Sequence, residues 1–210
     1  MNATTQKITL QGGAGLIEAL LDEPAAAPRG TAVIAHPHPL FGGTMTNKVV
    51  QTLARAFVQS GWRAVRFNFR GVGASDGAYD EGPGEAADML AVIRQVAPDG
   101  PLAVAGFSFG AFVTSQVLAQ LVPRSPEKIV LVGTAASRFS VAPIAPELHE
   151  RTLVLHGEQD DTVVLSSVMD WARPQSLPVS VIPGVEHFFH GQLPLLKSLV
   201  VRHLLAPVQT

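Results

Sequence analysis

The sequence predicts an α/β fold with a mainly parallel, doubly wound sheet and helices on both faces. Short apolar runs bounded by turn residues alternate with longer segments whose apolar residues recur at helical spacing. Most of the short runs are apolar almost throughout, as in strands that are buried on both faces of a sheet. No repeat, low-complexity segment or linker interrupts this pattern, so we expect residues 1–210 to form a single domain.

Eight segments are predicted strands. Residues 7–11 and 15–24 form an opening pair, with the turn GGAG between them. The other predicted strands are TAVIAH (31–36), RAVRFNF (63–69), PLAVAGF (101–107), KIVLVG (128–133), RTLVLHG (151–157) and VSVIPG (179–184).

Five helical segments separate these strands. In residues 47–61, Val50, Leu53 and Phe57 share one face, Thr46 or Asn47 is the predicted N-cap, and Gly61 ends the helix. The other predicted helices are 84–97, which ends before Pro98, 110–123, 163–174 and 193–205.

Composition excludes several classes of function. The chain is 47% hydrophobic and 15% charged, with a net charge of −2 and no cluster of basic residues, so neither a nucleic acid nor a membrane is an expected partner. It contains no cysteine, which excludes disulfides, thiolate metal sites and a cysteine nucleophile. The first residues do not resemble a signal peptide and no apolar run could span a bilayer. We expect a cytoplasmic protein.

The stretch VAGFSFGAFV places Ser108 between a predicted buried strand and a predicted helix, inside the pattern G-x-S-x-G. A serine at such a junction adopts a strained turn that exposes its hydroxyl above the sheet. Gly106 and Gly110 would avoid collisions with the neighbouring strand and helix. The first N–H groups of the new helix also favour a developing anion at this place. Ser108 is therefore the candidate nucleophile.

A serine nucleophile needs a base, and the base needs an orienting acid. Downstream, HGEQDD offers Glu158, Asp160 or Asp161 as the acid, and EHFFH offers His187 or His190 as the base. Both stretches follow predicted strands, whose carboxyl ends gather ligands in open α/β sheets. The chain order Ser, Asp, His is that of an α/β-hydrolase.

The sequence resembles the small bacterial serine hydrolases of the α/β-hydrolase superfamily. The motifs HPHPLFGGTMTNKVV, VRFNFRGVGASDG, GFSFG, HGEQD and EHFFHG carry the resemblance, which runs from about Thr31 to the end. It implies Ser108 as the nucleophile, Asp160 as the acid and His187 as the base, and it indicates this machinery far better than the substrate. We expect a small acyl substrate and no cofactor. Asp161 would then cap the following helix, and His156 would pack or hydrogen-bond at the end of its strand.

Acyl transfer also needs hydrogen-bond donors for the oxyanion. One expected donor is the backbone N–H of Phe109, directly after the nucleophile. The second should come from HPHPLFGG, where Pro37 and Pro39 have no N–H, so that His38 or Leu40 must donate. Counting positions favours His38.

Two other motifs were weighed against different functions. HPH resembles a pair of metal ligands, but PLFGG supplies no further ligand, so no metal site is predicted. The glycines of FNFRGVGASDG resemble a dinucleotide-binding turn, but no helix opens at them. We interpret this stretch as a loop in which Arg70 and Ser75 brace the rim of the site.

A cap domain would be inserted between the predicted strands 128–133 and 151–157. The 17 residues from Thr134 to Glu150 are too few for two packed helices of about 11–12 residues each. We therefore expect no cap and an open site, with Phe41, Phe107, Phe109 and Phe139 as apolar walls. The predicted activity is cleavage of small acyl esters; thioesterase, peptidase and non-catalytic binding functions stay open.

Overall fold

A computed structural model describes residues 5–121 and 123–207, which form one eight-stranded sheet flanked by helices. The strands are β1 (Gln6–Gly12), β2 (Gly15–Asp22), β3 (Thr31–Ala35), β4 (Arg63–Phe67), β5 (Leu102–Phe107), β6 (Lys128–Val132), β7 (Thr152–Gly157) and β8 (Val179–Ile182). Their order across the sheet is β1-β2-β4-β3-β5-β6-β7-β8. β1, β2 and β4 pair antiparallel, and every pair from β4 to β8 is parallel. The predicted fold class is confirmed.

The helices are α1 (Lys48–Gln59), α2 (Pro83–Val96), α3 (Phe109–Leu118), α4 (Leu165–Ala172) and α5 (Leu193–Leu205). They cover both faces because the inner strands are apolar on both sides. Apolar side chains of α1 and α5 pack against one face of the sheet, and those of α2, α3 and α4 pack against the other. No helix within the described residues combines the length and the hydrophobicity needed to cross a membrane.

The ends of two helices differ from their predicted positions. The predicted helix 110–123 ends at Leu118, because the amides of Gln120 and Leu121 bond carbonyls only three residues back, at 2.9 and 3.4 Å. Its predicted end also runs through residue 122, which lies outside the described residues. The predicted helix 163–174 begins later, at Leu165, because a carboxylate binds the amide of Val163.

The segment between β6 and β7 forms no cap. The structure describes all of residues 133–151, and their only helical part is a 3-10 segment at Pro146–Arg151. The carboxyl ends of β5, β7 and β8 are consequently left uncovered by any helical domain. The expectation of a fold without a cap is confirmed.

Candidate active site

The nucleophile candidate lies in a sharp turn between β5 and α3. Ser108 has φ 56° and ψ −116°, a conformation that costs a non-glycine residue energy and that its surroundings must enforce. Its amide donates a hydrogen bond to the Val132 carbonyl at 2.8 Å, which ties the turn to β6. A Cβ atom at Gly106 would collide with the carbonyl of Gly110, and one at Gly110 with the carbonyl of Ala35. The two glycines therefore meet the steric demand expected around Ser108.

An imidazole faces the serine from the loop after β8. His187 Nε2 lies 3.0 Å from Ser108 Oγ, and the ring is 2% exposed. It packs against Phe107 and Phe188, with ring centroids 4.9 and 5.0 Å away. His190 is exposed and its Nδ1 lies 3.0 Å from Glu186 Oε1. Of the two histidines, the structure brings only His187 to the serine.

A buried carboxylate completes the hydrogen-bonded chain. Asp160 Oδ2 lies 2.6 Å from His187 Nδ1, which fixes the proton on that nitrogen and leaves Nε2 as an acceptor for the serine hydroxyl. Asp160 Oδ1 accepts the amides of Thr162 at 3.0 Å and Val163 at 2.7 Å. The carboxylate is thus held by both oxygens and oriented before any substrate binds.

The other acidic candidates have different partners. Glu158 Oε2 accepts the amide of Gly184 at 2.9 Å, which links the loops after β7 and β8. The prediction that Asp161 caps the next helix is wrong: α4 begins at Leu165, and Val164 precedes it. The chain needs these extra residues because Asp160 binds the amides of Thr162 and Val163 in a turn.

His156 supports the turn that carries the carboxylate. Its Nε2 lies 2.9 Å from the Val163 carbonyl and 3.6 Å from Asp160 Oδ2. Burial lowers the pKa of His156, and the neighbouring Asp160 charge opposes that shift without cancelling it. The neutral ring donates to the carbonyl and keeps the turn closed.

The predicted oxyanion donors, the amides of Phe109 and His38, belong to residues that line the cavity beside the serine. Phe109 is the first residue of α3, where a helix has no internal acceptor for its N–H groups. The amide of Leu40 donates to His38 Nδ1 at 3.2 Å, and the Leu40 side chain is 68% exposed, outside the cavity lining. His38 lines the cavity, and its carbonyl accepts the amides of Phe41 and Gly43 at 3.1 and 3.0 Å. The Leu40 amide therefore already has an acceptor, and the His38 amide stays the predicted second donor.

The two histidines of HPH have separate structural partners. His36 Nδ1 lies 2.6 Å from the Pro37 carbonyl, Nε2 accepts the Phe69 amide at 3.0 Å, and burial lowers the pKa of His36 to about 4. His38 Nε2 lies 3.1 Å from Tyr79 Oη. Within residues 5–121 and 123–207, no group of three or more His, Asp or Glu side chains is arranged to hold a metal ion.

An open cavity of about 260 Å³ adjoins Ser108. Of the four phenylalanines expected as walls, Phe41, Phe109 and Phe139 line it, whereas Phe107 lies buried behind the His187 ring. Phe188, which was not predicted, takes the place of Phe107. The complete lining is Pro37, His38, Phe41, Gly42, Gly43, Asn47, Ser108, Phe109, Ala135, Arg138, Phe139, Thr162, Val163, His187 and Phe188.

Arg70 and Ser75 do not belong to this lining, contrary to the prediction that they brace the rim. Arg70 forms two 2.8 Å hydrogen bonds to Asp88 on α2. Ser75 Oγ accepts the Glu18 amide at 3.0 Å and donates to the Asn68 carbonyl at 2.8 Å. Both residues fix the glycine-rich loop to the sheet and α2.

Comparison with known proteins places the chain in a family. The sequence profile of the X-Pro dipeptidyl-peptidase family (S15) matches residues 16–142, a stretch that contains Ser108 but ends before Asp160 and His187. The uncharacterized protein RP471 of Rickettsia prowazekii is 32% identical over 199 residues, which cover 87% of this chain and 82% of that protein.

Two solved structures are similar over nearly the whole chain. XC6422 from Xanthomonas campestris, described as an a/b serine hydrolase without lid, is 33% identical with a TM-score of 0.85, over 97% of this chain and 95% of its own. An alpha-beta serine hydrolase homologue from Coxiella burnetii is 37% identical with a TM-score of 0.81, over 96% and 97%. Since the profile covers more than half of the sequence and these similarities run almost from end to end, the chain belongs to the S15 family and is a small, lidless serine hydrolase of the α/β-hydrolase superfamily.

Proposed function

We propose that this protein hydrolyses small acyl esters with Ser108 as nucleophile, His187 as base and Asp160 as the orienting acid. The observation that carries the proposal is the continuous hydrogen-bonded chain from Ser108 Oγ through His187 to Asp160, with distances of 3.0 and 2.6 Å. A hydroxyl, an imidazole and a carboxylate in this order are the parts that activate a serine for acyl transfer.

In the acylation step, Ser108 Oγ attacks the ester carbonyl carbon while its proton passes to His187 Nε2. The N–H groups of Phe109 and His38 hold the resulting oxyanion, each worth about 3 kcal/mol to the transition state. When the tetrahedral intermediate collapses, the bond to the alcohol oxygen breaks. His187 returns its proton to that oxygen, which leaves an acyl ester on Ser108.

Deacylation repeats these steps with water. His187 takes a proton from the water molecule as its oxygen attacks the acyl carbon, and the bond to Ser108 Oγ then breaks. The proton returns to Ser108, and the carboxylic acid leaves. Asp160 keeps the imidazole oriented throughout, because its carboxylate accepts two backbone N–H groups and the imidazole N–H.

The cavity favours a small substrate. Its volume of about 260 Å³ lies below the range of about 300–1,000 Å³ that is common for sites of drug-sized ligands. Because no cap covers the cavity, each further methylene of a long acyl chain would gain less than the roughly 0.8 kcal/mol of complete burial. Short acyl groups therefore use most of the binding that this site offers.

A peptidase is the second candidate, which the S15 profile favours. A dipeptidyl-peptidase must accommodate the free N-terminal ammonium group of its substrate. None of the described residues that line the cavity carries a carboxylate, since Asp160 lies behind His187. The charged side chain at the rim of the cavity is Arg138. A cation at this position opposes an ammonium group, which supports the ester over the dipeptide.

A substrate panel tests the proposal. We expect 4-nitrophenyl acetate and butyrate to be turned over faster than a matched short thioester or Gly-Pro-4-nitroanilide. Ser108→Ala should lower kcat by about 10⁴-fold or more, whereas Ser198→Ala, at an exposed position on α5, should not change it. Faster cleavage of the anilide would establish the peptidase, and no turnover of any substrate would favour a binding protein.

A further inference from the structure

We propose that Arg138 makes this site selective for esters whose acyl group carries a carboxylate. The inference rests on the proposed ester hydrolysis and names its substrate class: half-esters of short dicarboxylic acids. It starts from a feature of the cavity that ester cleavage alone leaves unused, an arginine at the mouth of a pocket that four phenylalanine rings help to line.

The loop that carries Arg138 is fixed in place. The amides of Arg138 and Phe139 both donate to the Ala135 carbonyl, at 3.2 and 3.1 Å. Further along, Gln116 Nε2 donates to the Ser140 carbonyl at 2.9 Å, and Ser115 Oγ accepts the Ala142 amide at 3.1 Å. These bonds attach the loop to α3, so the backbone beneath the guanidinium is preorganised.

Among residues 5–121 and 123–207, the charge of Arg138 has no internal partner. Within the described chain no carboxylate lies within 4.0 Å of its guanidinium, which makes no side-chain hydrogen bond there. Its neighbour is the Phe41 ring, with Cζ 6.0 Å from the centroid. By contrast, the buried Arg66 binds Asp22 at 2.7 Å, and the partly buried Arg70 binds Asp88 at 2.8 Å. The donors of Arg138 are therefore available to a ligand.

The positive charge reaches the reacting end of the cavity. The pKa of His38 is lowered, first by burial and second by the charge of Arg138. Since the His38 amide is a proposed oxyanion donor, an anionic group of a bound substrate would lie within the field of the same guanidinium. A ligand carboxylate would meet an exposed cation whose guanidinium lies over the Phe41 ring.

The position of Arg138 assigns the carboxylate to the acyl part of the ester. The alcohol must leave beside His187, which protonates it, on the side of the cavity formed by Thr162, Val163 and Phe188. Arg138 belongs instead to the side formed by His38, Phe41 and Phe139. In a cavity of about 260 Å³, only a few methylenes fit between the ester carbon and the guanidinium.

Three matched esters test the assignment: monoethyl glutarate, ethyl pentanoate and the neutral ethyl ester of glutaric acid monoamide, with ethanol release as the readout. For the wild type we expect kcat/KM for monoethyl glutarate to exceed that for the amide about tenfold, because Arg–carboxylate pairs are strong but this one is partly exposed. The preference should fall as salt is raised from low to high ionic strength.

Variants distinguish selection from general catalysis. Arg138→Gln should lower kcat/KM for monoethyl glutarate about tenfold more than for ethyl pentanoate, which abolishes the preference, and Arg138→Glu should invert it. Arg55→Gln, which removes the same charge from an exposed position on α1, should retain it.

Each remaining outcome overturns a stated claim. Equal kcat/KM values for the glutarate half-ester and the monoamide in the wild type would refute the selectivity. An equal loss of kcat/KM for all three esters in Arg138→Gln would also refute it and would indicate that Arg138 stabilises the oxyanion. If Arg138→Gln still cleaves ethyl pentanoate, the proposed ester-hydrolase function stands even where the selectivity is refuted. If the wild type cleaves none of the three esters, the proposed function fails first.

Discussion

Gly133 packs against the His187 imidazole, and replacing it with alanine should displace this proposed base without removing any hydrogen-bonding group. Gly133 follows the last residue of β6 with φ 55°, a left-handed conformation. A Cβ atom added there would lie 3.2 Å from His187 Cε1, 3.3 Å from His187 Nδ1 and 3.3 Å from Phe107 Cε2. Because the His187 ring is packed between Phe107 and Phe188, it can relieve these contacts only by moving toward the cavity.

Two effects set the expected magnitude for Gly133→Ala. The left-handed conformation costs a non-glycine residue about 1–2 kcal/mol, which in a chain of this size lowers Tm by about 3–6 °C. Displacement of the imidazole by a few tenths of an ångström weakens the 3.0 Å contact between His187 Nε2 and Ser108 Oγ. As misplacement by about 1 Å can cost 10²-fold in rate, we expect kcat to fall about tenfold, with KM nearly unchanged.

Gly100→Ala is the matched control. Gly100 also has a positive φ, 76°, but a Cβ atom there meets nothing within 4 Å, and the residue lies in the turn before β5, far from the carboxyl ends of the strands. It should lower Tm by a similar amount and leave kcat unchanged. Steady-state kinetics and thermal melts of both variants decide the matter: equal kcat values in the two would refute the steric coupling between Gly133 and His187.

Three further predictions concern acid stability, the base and chain length. Burial lowers the pKa of His36 to about 4, so the unfolded chain binds a proton between pH 6.5 and 4 that the folded chain does not, and stability rises with pH across that window. His36 should lower the free energy of unfolding by about 2 kcal/mol at pH 5 relative to neutral pH. In His36→Gln, urea unfolding at pH 5 and 7 should show that this decrease is lost, and an unchanged pH dependence would contradict the assignment. His187→Ala should lower kcat as severely as the loss of Ser108, while His190→Ala stays active; the reverse result would make His190 the base. Because the site is uncovered, kcat/KM should not rise from four-carbon to sixteen-carbon 4-nitrophenyl esters, and a jump in rate on emulsified substrate would show an interfacial device that the fold lacks.

Local signals in the sequence were sufficient for most of the fold. Apolar runs predicted all eight strands, since an inner strand of a parallel sheet has no polar face. Helix ends were harder to predict. Helix α4 starts after a turn that the Asp160 carboxylate stabilises, and α3 tightens before Pro123, and neither effect leaves a periodic pattern in the sequence.

The sequence likewise predicted some residues of the candidate site and missed others. Ser108, Asp160 and His187 were found because strand order and short motifs mark them, and the structure brings their side chains together. Phe188 was missed, and Phe107 was predicted as a wall of the cavity although it lies behind the imidazole. The sequence does not show this, because the position of the His187 and Phe188 rings depends on the turn after β8. No spacing rule predicts where a loop such as that of Arg138 places its charge.

The most direct test of the central claim is covalent labelling of the native protein by a fluorophosphonate, followed by mass spectrometry of the intact chain and of its peptides. The account predicts a single phosphonyl adduct on the peptide containing Ser108, formed rapidly in the wild type. The adduct should be absent from Ser108→Ala and should form far more slowly in His187→Ala, because the serine hydroxyl then has no base. Labelling of another residue, or equally fast labelling of Ser108 without His187, would contradict the proposed mechanism.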